Sequence, residues 1–180
     1  YGKKEILDTL PNQNHEFLEG DVPYTLNPGG PNHEELSCLV GVYEYFNNLF
    51  EHHFPSEDCS VRQKINKINE LIADHEKEIA NPLLDYLNSR SDIRLIGKKR
   101  IENKDRAPTI AFTMNNKSSK DLSSELVKYG IATRNDNFYA WRCLKALGID
   151  VDDGVVRTSM VHYNTQKDVE NLINALKRIK

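Results

Sequence analysis

The stretch that most constrains the fold lies near the C-terminal end, where an apolar segment at 155–160 precedes a turn and an amphipathic segment at 166–179. Apolar residues flank Arg157, which predicts a β-strand with one face in a core and the arginine on the other face. An arginine on such a strand needs an anion, because the guanidinium keeps its charge. We expect either a ligand carboxylate, held bidentately, or a structural salt bridge to Asp152 or Asp153.

A second arginine, Arg134, ends another predicted strand at 131–134. A polar turn follows it, and then a predicted helix at 138–147. A strand end next to a helix N-terminus favours anion binding, so Arg134 and Arg157 are expected to face one pocket. The alternative is that Arg134 is simply an exposed arginine beside Asp136.

Short strands and helices alternate along the second half of the chain, after Ser91. This pattern predicts a small α+β domain of the α/β class, with a four-stranded, mainly antiparallel sheet packed by helices on one side. We divide the chain into domains at 1–58 and 59–180. The predicted elements are strands near 93–96, 109–113, 131–134 and 155–160, and helices near 119–129, 138–147 and 166–179.

The first half predicts a linker and two long helices. A loop rich in proline and glycine runs to Pro31, and its Gly29-Gly30 pair is either a plain turn or a place where backbone amides approach a phosphate. Asn32 is the expected cap of the first long helix, and Pro82 should kink or break the second. The first helix has an apolar stripe that we expect to be buried, formed by Leu36, Leu39, Val40, Tyr43, Phe46 and Phe50.

Composition narrows the class of partner. A net charge of −3 and no concentrated basic face argue against nucleic acid and membrane surfaces. Three cysteines without a CxxC pair argue against disulfides or zinc and favour the reducing cytoplasm, and Cys143 is interpreted as a core thiol. The histidines do not fall into a metal-ligand spacing, and no apolar run approaches the roughly 20 residues of a membrane span.

Four motifs, in this order along nearly the whole chain, resemble the C-terminal half of class V aminotransferases. The resemblance is greatest to the cysteine desulfurase-like and isopenicillin-epimerase-like branch. The motifs are Asn27-Pro28-Gly29-Gly30-Pro31-Asn32-His33-Glu34, Arg106-Ala107-Pro108-Thr109-Ile110-Ala111-Phe112, Gly130-Ile131-Ala132-Thr133-Arg134 with Asn137-Phe138-Tyr139-Ala140, and Val156-Arg157-Thr158-Ser159-Met160-Val161-His162-Tyr163-Asn164-Thr165.

The resemblance implies a pyridoxal 5'-phosphate enzyme of fold type I that acts on a small amino acid as a homodimer. It implies that 1–58 is the end of the large cofactor-binding domain and 59–180 the small domain. The Schiff-base lysine would lie upstream of Tyr1, so no catalytic residue is expected within this chain. The chain is then expected to be the C-terminal part of a longer protein, without bound cofactor or turnover when isolated.

By the same resemblance, Arg157 matches the arginine that binds the substrate carboxylate, and Arg134 a second active-site arginine. We include Asn137 among the substrate-binding residues. The Gly29-Gly30 corner matches the loop that reaches the phosphate of the partner subunit's cofactor.

Desulfurases of this family carry a nucleophilic cysteine shortly after the position of Arg134. The segment 135–139 has none, so desulfuration is not expected, whereas transamination, racemisation and lyase chemistry stay open. The competing hypothesis is a stand-alone, non-enzymatic α+β interaction module in which Arg157 serves only a salt bridge.

Overall fold

The computed structural model describes residues 2–21, 24–27, 29–103 and 105–179. The chain divides into two compact units, 1–65 and 66–180. The predicted domain bounds of 1–58 and 59–180 stay a prediction. The assignment of the first part to a large cofactor-binding domain stays a prediction.

The first unit is built around one long helix. Helix α1 (Lys4–Leu7) and a short 3-10 helix (Glu16–Leu18) precede helix α2 (His33–His53). The side chain of Asn32 accepts a hydrogen bond from the Glu35 backbone N–H at 3.1 Å, which confirms the predicted cap. Because an asparagine cap satisfies one of the free amides at a helix start, the sequence located this helix N-terminus correctly.

The apolar stripe of α2 is not buried as predicted. Leu39 and Val40 are 62% and 61% exposed, Leu36 and Tyr43 are also exposed, and only Phe50 is fully buried. Periodicity reports that a helix has an apolar face, but it does not report whether the same chain supplies the covering layer. Within the described residues nothing covers the N-terminal half of this face.

The second unit holds one antiparallel sheet flanked by helices. Within the described residues four strands pair in the order β1-β2-β4-β3, and every pair is antiparallel. This confirms the predicted sheet. Its elements, with the helix that leads into them, are α3 (Val61–Ser89), β1 (Ile93–Ile96), β2 (Thr109–Met114), α4 (Ser119–Val127), β3 (Arg134–Asp136), α5 (Trp141–Ala146), β4 (Val155–Ser159) and α6 (Gln166–Arg178).

The main core fills one face of the sheet. Ile110, Phe112 and Val156 point into it and are fully buried. They belong to one cluster with apolar side chains of α3, α4 and α6, among them Leu84 and Leu126. Alternate residues of each strand therefore lie on the opposite face, as the period of two requires.

The opposite face carries only a small apolar cluster. Leu144 of α5, Ile149 and Val155 form it, with Ala111 and Phe138 packed against it. Because α5 has only six residues, it covers part of this face. The rest of the face is polar and contains Arg134 and Arg157.

Helix α3 continues through Pro82, so the expected break is absent. A proline inside a helix costs about 3 kcal/mol. The neighbouring Leu83, Leu84 and Leu87 are all fully buried, and each such leucine contributes about 2–5 kcal/mol. Packing therefore outweighs the lost hydrogen bond. No helix within the described ranges has both the length and the hydropathy needed to cross a bilayer.

Strand β3 begins later than predicted, because the residues just before it complete the C-terminal end of helix α4. Gly130 has a left-handed backbone with φ of 74°. The Ile131 N–H donates to the Leu126 carbonyl at 3.1 Å, so it satisfies the C-terminus of α4 instead of a strand neighbour. Arg134 consequently starts β3 instead of ending a strand.

Helix α5 is also shorter than predicted, because Phe138 and Tyr139 have left-handed backbone conformations and cannot belong to it. Cys143 is exposed, so the interpretation as a core thiol is wrong. Adjacent helical residues point about 100° apart, and it is Leu144 that faces the apolar cluster.

We predict that Gly154→Ala destabilises the second unit strongly. Gly154 has φ of 73°, and a Cβ there would lie 2.3 Å from the backbone carbonyl of Asp136. Left-handed strain of about 1–2 kcal/mol would add to this clash, so the free energy of unfolding should fall by at least about 3 kcal/mol in urea denaturation. Gly130→Ala is the matched control, because it has a similar φ of 74° and no atom within 4 Å of the added methyl group. Equal losses for both variants would contradict the close-approach argument.

We predict that Asp168 makes the second unit less stable in acid. At the start of α6 its carboxylate accepts hydrogen bonds from the N–H (2.8 Å) and the hydroxyl (3.0 Å) of Thr165, which hold the pKa of Asp168 below its ordinary value. A lowered pKa contributes stability above the ordinary value of about 4 and loses it as the pH falls through the folded value. Asp168→Asn should therefore lower the urea midpoint at pH 7. At pH 3 the urea midpoints of the variant and the wild type should differ less than they do at pH 7. Glu170→Gln, also on α6, should leave this pH dependence unchanged.

Candidate functional site

The two arginines singled out from the sequence lie directly opposite each other. Strands β3 and β4 pair so that Arg134 faces Arg157 across the ladder. Residues paired in this way project from the same face of a sheet, with Cβ atoms about 5 Å apart. On the other side of Arg157 the β2 partner is Ala111, a small residue. The fold therefore places two positive charges side by side on the polar sheet face.

The guanidinium of Arg157 lies over an aromatic ring and has unused hydrogen-bonding capacity. Its central carbon is 4.2 Å from the ring centroid of Phe138, which is within the range of a cation–π contact. Its Nε is buried and has no hydrogen-bond partner. Stacking on Phe138 orients the guanidinium plane but does not neutralise its charge.

No carboxylate among the described residues pairs with either arginine. The Asp153 carboxylate instead accepts the Ser119 backbone N–H at 2.8 Å. A salt bridge from Arg157 to Asp152 or Asp153, which the sequence left open, is therefore not formed. Asp136, on the same face as Arg134, uses one oxygen to accept the Asn137 N–H at 2.6 Å.

The turn after β3 is held together by Asn137. Its Oδ1 accepts the Tyr139 N–H at 3.0 Å, and its Nδ2 donates to the Val151 carbonyl at 3.3 Å. Both ends of the side-chain amide are thus used to shape the turn. The expectation that Asn137 binds substrate stays a prediction, and the structure adds a positioning role, because the same turn carries Phe138 under Arg157.

An open cavity of about 510 Å³ lies beside this turn. It combines a cation with aromatic side chains, of which Tyr139 is fully exposed and Trp141 half exposed. From the sequence, these aromatic residues were not assigned to the site. The signal that pointed to them was the consecutive aromatic pair Phe138-Tyr139, shortly after Arg134. The cavity is lined by Arg134, Asp136, Asn137, Phe138, Tyr139 and Trp141.

The Gly29-Gly30 pair lies in the first unit, whereas the arginines lie in the second. Both glycines are exposed, and a side chain added to either would meet nothing within 4 Å. Their open backbone, just before the N-terminus of α2, fits a phosphate group, because amides at a helix start attract anions. Pro28, in the same predicted corner, lies outside the described residues. A phosphate-binding role for the glycines stays a prediction.

Arg106 is a further half-buried cation in the second unit. Its Nε is buried and has no hydrogen-bond partner, and burial lowers the pKa of its guanidinium. One of its Nη atoms lies only 2.7 Å from the position that a Cβ on Gly97 would take. Arg106 borders a different cavity, together with Glu76 and Lys77, so it does not belong to the arginine pair.

Chemically, the second unit offers a site for a carboxylate. Two guanidinium groups that have no carboxylate partner among the described residues supply several N–H donors and two positive charges. Charge-assisted hydrogen bonds from arginine to carboxylate are among the strongest non-covalent contacts in proteins. The aromatic side chains beside Arg134 give the cavity that Arg134 lines an apolar wall, and Arg157 is not among the residues that line it.

Comparison with known proteins agrees with this architecture. The sequence model of the family described as Aminotransferase class-V matches residues 63–172. The "Aminotransferase-like protein FGM3" of Gibberella zeae is 35% identical over 183 residues, which cover 99% of this chain. A cysteine desulfurase of Serratia proteamaculans is 25% identical over 192 residues and matches the whole chain.

A solved structure has a similar fold over nearly the whole of this chain. The crystal structure of the cysteine desulfurase CsdA from Escherichia coli superposes with a TM-score of 0.67 and 26% identity, over 99% of this chain and 41% of that protein. The chain likewise spans 41% of the length of the Gibberella and Serratia relatives. The family match and the similarity across nearly every residue lead to one conclusion: this chain belongs to the class V aminotransferase family.

Proposed function

We propose that this chain is the substrate-binding part of a pyridoxal-phosphate-dependent enzyme acting on a free amino acid, and that Arg157 binds the substrate α-carboxylate. The observation that carries the proposal is the pairing of Arg134 with Arg157, on one sheet face and without a carboxylate partner among the described residues. Like charges directly opposite each other destabilise a sheet. A bound carboxylate would turn this repulsion into two favourable contacts.

In this proposal the stacked arginine orients the substrate. Phe138 restricts the Arg157 guanidinium from one side, so a carboxylate bound in its plane has a defined direction. Arg134, which is exposed and opposite, contributes a second positive charge. Orientation of this kind raises the rate because it removes rotational freedom before the reaction.

The family uses pyridoxal phosphate, which withdraws electrons from bonds at the substrate Cα when it is bound. We propose that the exposed backbone amides of Gly29 and Gly30 reach the phosphate of the cofactor bound by the partner subunit. The arginines would set which substrate bond is presented to the cofactor.

We propose a reaction at the α- or β-carbon other than desulfuration. Residues 135–139, which form the turn beside the arginine pair, contain no thiol. Cys143 is exposed on α5, but it does not line the cavity that contains Arg134. The relatives named as cysteine desulfurases thus share the scaffold, while the thiol chemistry is not proposed for this chain.

We also propose a cytoplasmic homodimer. The exposed apolar stripe on α2, formed by Leu36, Leu39, Val40 and Tyr43, supports a partner of this kind. An apolar surface of this extent on one helix face is typical of an interface.

We predict that Arg157→Ala in the full-length protein raises the KM for amino-acid substrates and lowers kcat/KM by about 10- to 100-fold, since a charged hydrogen-bond pair is worth about 1.5–3 kcal/mol. The measurement is a titration with L-alanine and other amino acids, followed by the cofactor's visible absorbance and by turnover. Arg157→Lys should recover only part of the effect, because lysine cannot bind bidentately.

The matched control for this experiment is Arg94→Ala. Arg94 lies on the same sheet face, but its guanidinium donates to the Leu147 carbonyl at 2.6 Å. That variant should retain the wild-type kcat/KM. Unchanged kinetics in Arg157→Ala would refute the assignment of Arg157, whereas a full-length protein that is colourless and turns over no amino acid would favour the non-enzymatic module.

We predict that anions stabilise the 180-residue chain through the arginine pair. Propionate should raise the urea midpoint more than chloride at equal ionic strength, because it binds the folded state only. Arg134→Gln should stabilise the unliganded chain by about 0.2–1 kcal/mol, since it removes a like-charge pair, and should weaken the response to propionate. A propionate response that is the same in Arg134→Gln, Arg94→Gln and wild type would contradict the anion site.

A further inference from the structure

The backbone next to the arginine pair is unusual at two consecutive bulky residues. Phe138 and Tyr139 have φ of 51° and 60°, a left-handed conformation that side chains with a Cβ rarely adopt. For Phe138 the conformation has a structural purpose, because the ring packs against the small apolar cluster and under Arg157. The Tyr139 side chain is fully exposed, so packing of that side chain against the described residues does not account for its conformation.

Hydrogen bonds hold the backbone of this turn at Tyr139. The Asn137 amide bridges the Tyr139 N–H and the Val151 carbonyl, and the Ala140 N–H returns to the Asn137 carbonyl at 2.8 Å. Gly154 lies so close behind the Asp136 backbone that no side chain fits between them. Strained backbone that the surrounding structure fixes is concentrated at functional sites.

Tyr139 borders a cavity whose lining is amphipathic. Arg134 supplies a positive charge, while Tyr139 and the half-exposed Trp141 supply aromatic surface. The carboxylate of Asp136 also lines the cavity and would repel an acidic side chain. Arg157 does not line this cavity, but Arg134, its neighbour across the strand pair, does. A ligand whose carboxylate binds at the arginine pair can therefore place a neutral apolar body along the aromatic side of the cavity.

We propose that Tyr139 and Trp141 form the binding surface for the substrate side chain, and that the substrate is an amino acid with an aromatic or other large apolar side chain. The inference rests on the proposed function, because it takes the arginine pair as the carboxylate site. It assigns Tyr139 as a specificity residue that contacts the substrate without taking part in bond breaking. The strained turn places Tyr139 at the edge of the cavity.

The test uses the fluorescence of Trp141, which is the single tryptophan of the chain. The 180-residue chain is titrated with 3-phenylpropionate, and propionate is measured by competition. We expect 3-phenylpropionate to bind about tenfold or more tightly than propionate, as is typical of a matched apolar pocket. Arg157→Ala should weaken the binding of both acids.

Three substitutions at Tyr139 separate a specificity role from a structural one. Tyr139→Ala should abolish the preference for the phenyl group while propionate affinity stays within about twofold. Tyr139→Phe should retain the preference, because the ring makes the contact. Tyr139→Gly should lose the preference yet be at least as stable to urea as wild type, since glycine adopts a positive φ without strain.

Tyr163→Ala is the matched control, because Tyr163 is 77% exposed and does not line this cavity. It should bind both acids as the wild type does. Equal affinity for the two acids, with binding that still depends on Arg157, would overturn the assignment of Tyr139 and leave the proposed carboxylate site intact. Binding that does not depend on either arginine would overturn both.

Discussion

The pairing of β3 with β4 is the interaction on which the rest of the site depends. Strand β3 has only three residues and lies at the edge of the sheet, yet its register sets Arg134 opposite Arg157. A shift by one residue would send the Arg134 side chain toward the opposite, apolar face. The pairing is maintained although it brings like charges together, because Val155 and Val156 of β4 are buried in the apolar clusters of the two faces and Gly154 lies against the Asp136 backbone.

Close packing behind the candidate site explains why the backbone of β3, a short edge strand, has a defined position. Gly154 allows the backbone at Asp136 to approach within a distance that any side chain would prevent. Phe138 then fills the space under Arg157, and the Asn137 amide closes the turn. The two arginines are therefore positioned by strand pairing and, for Arg157, by one aromatic ring, and not by an ion pair with any described residue. The arginine charges remain available for a ligand.

Much of the scaffold follows from local sequence signals. Asn32, Thr165 and Ser118 each cap a helix, and the strands β1, β2 and β4 lie within a residue of their predicted bounds. These features depend on neighbours in the chain, which a single sequence contains. Arg157 could likewise be placed opposite the core face from alternation alone. The exposure of Cys143 and of the α2 stripe could not be predicted, because exposure depends on which distant segments cover a surface.

The sequence by itself determined the starts of α2, α4 and α6, the antiparallel α+β unit, the family, and the two arginines as anion-binding candidates, because periodicity, caps and motif order are local properties. Only the tertiary structure decided that Arg134 and Arg157 are direct neighbours, that Asp152 and Asp153 do not neutralise them, and that Tyr139 stands exposed on a strained turn. Strand register, ion pairing and positive φ all arise from contacts between residues far apart in the chain, and local pattern cannot specify those contacts.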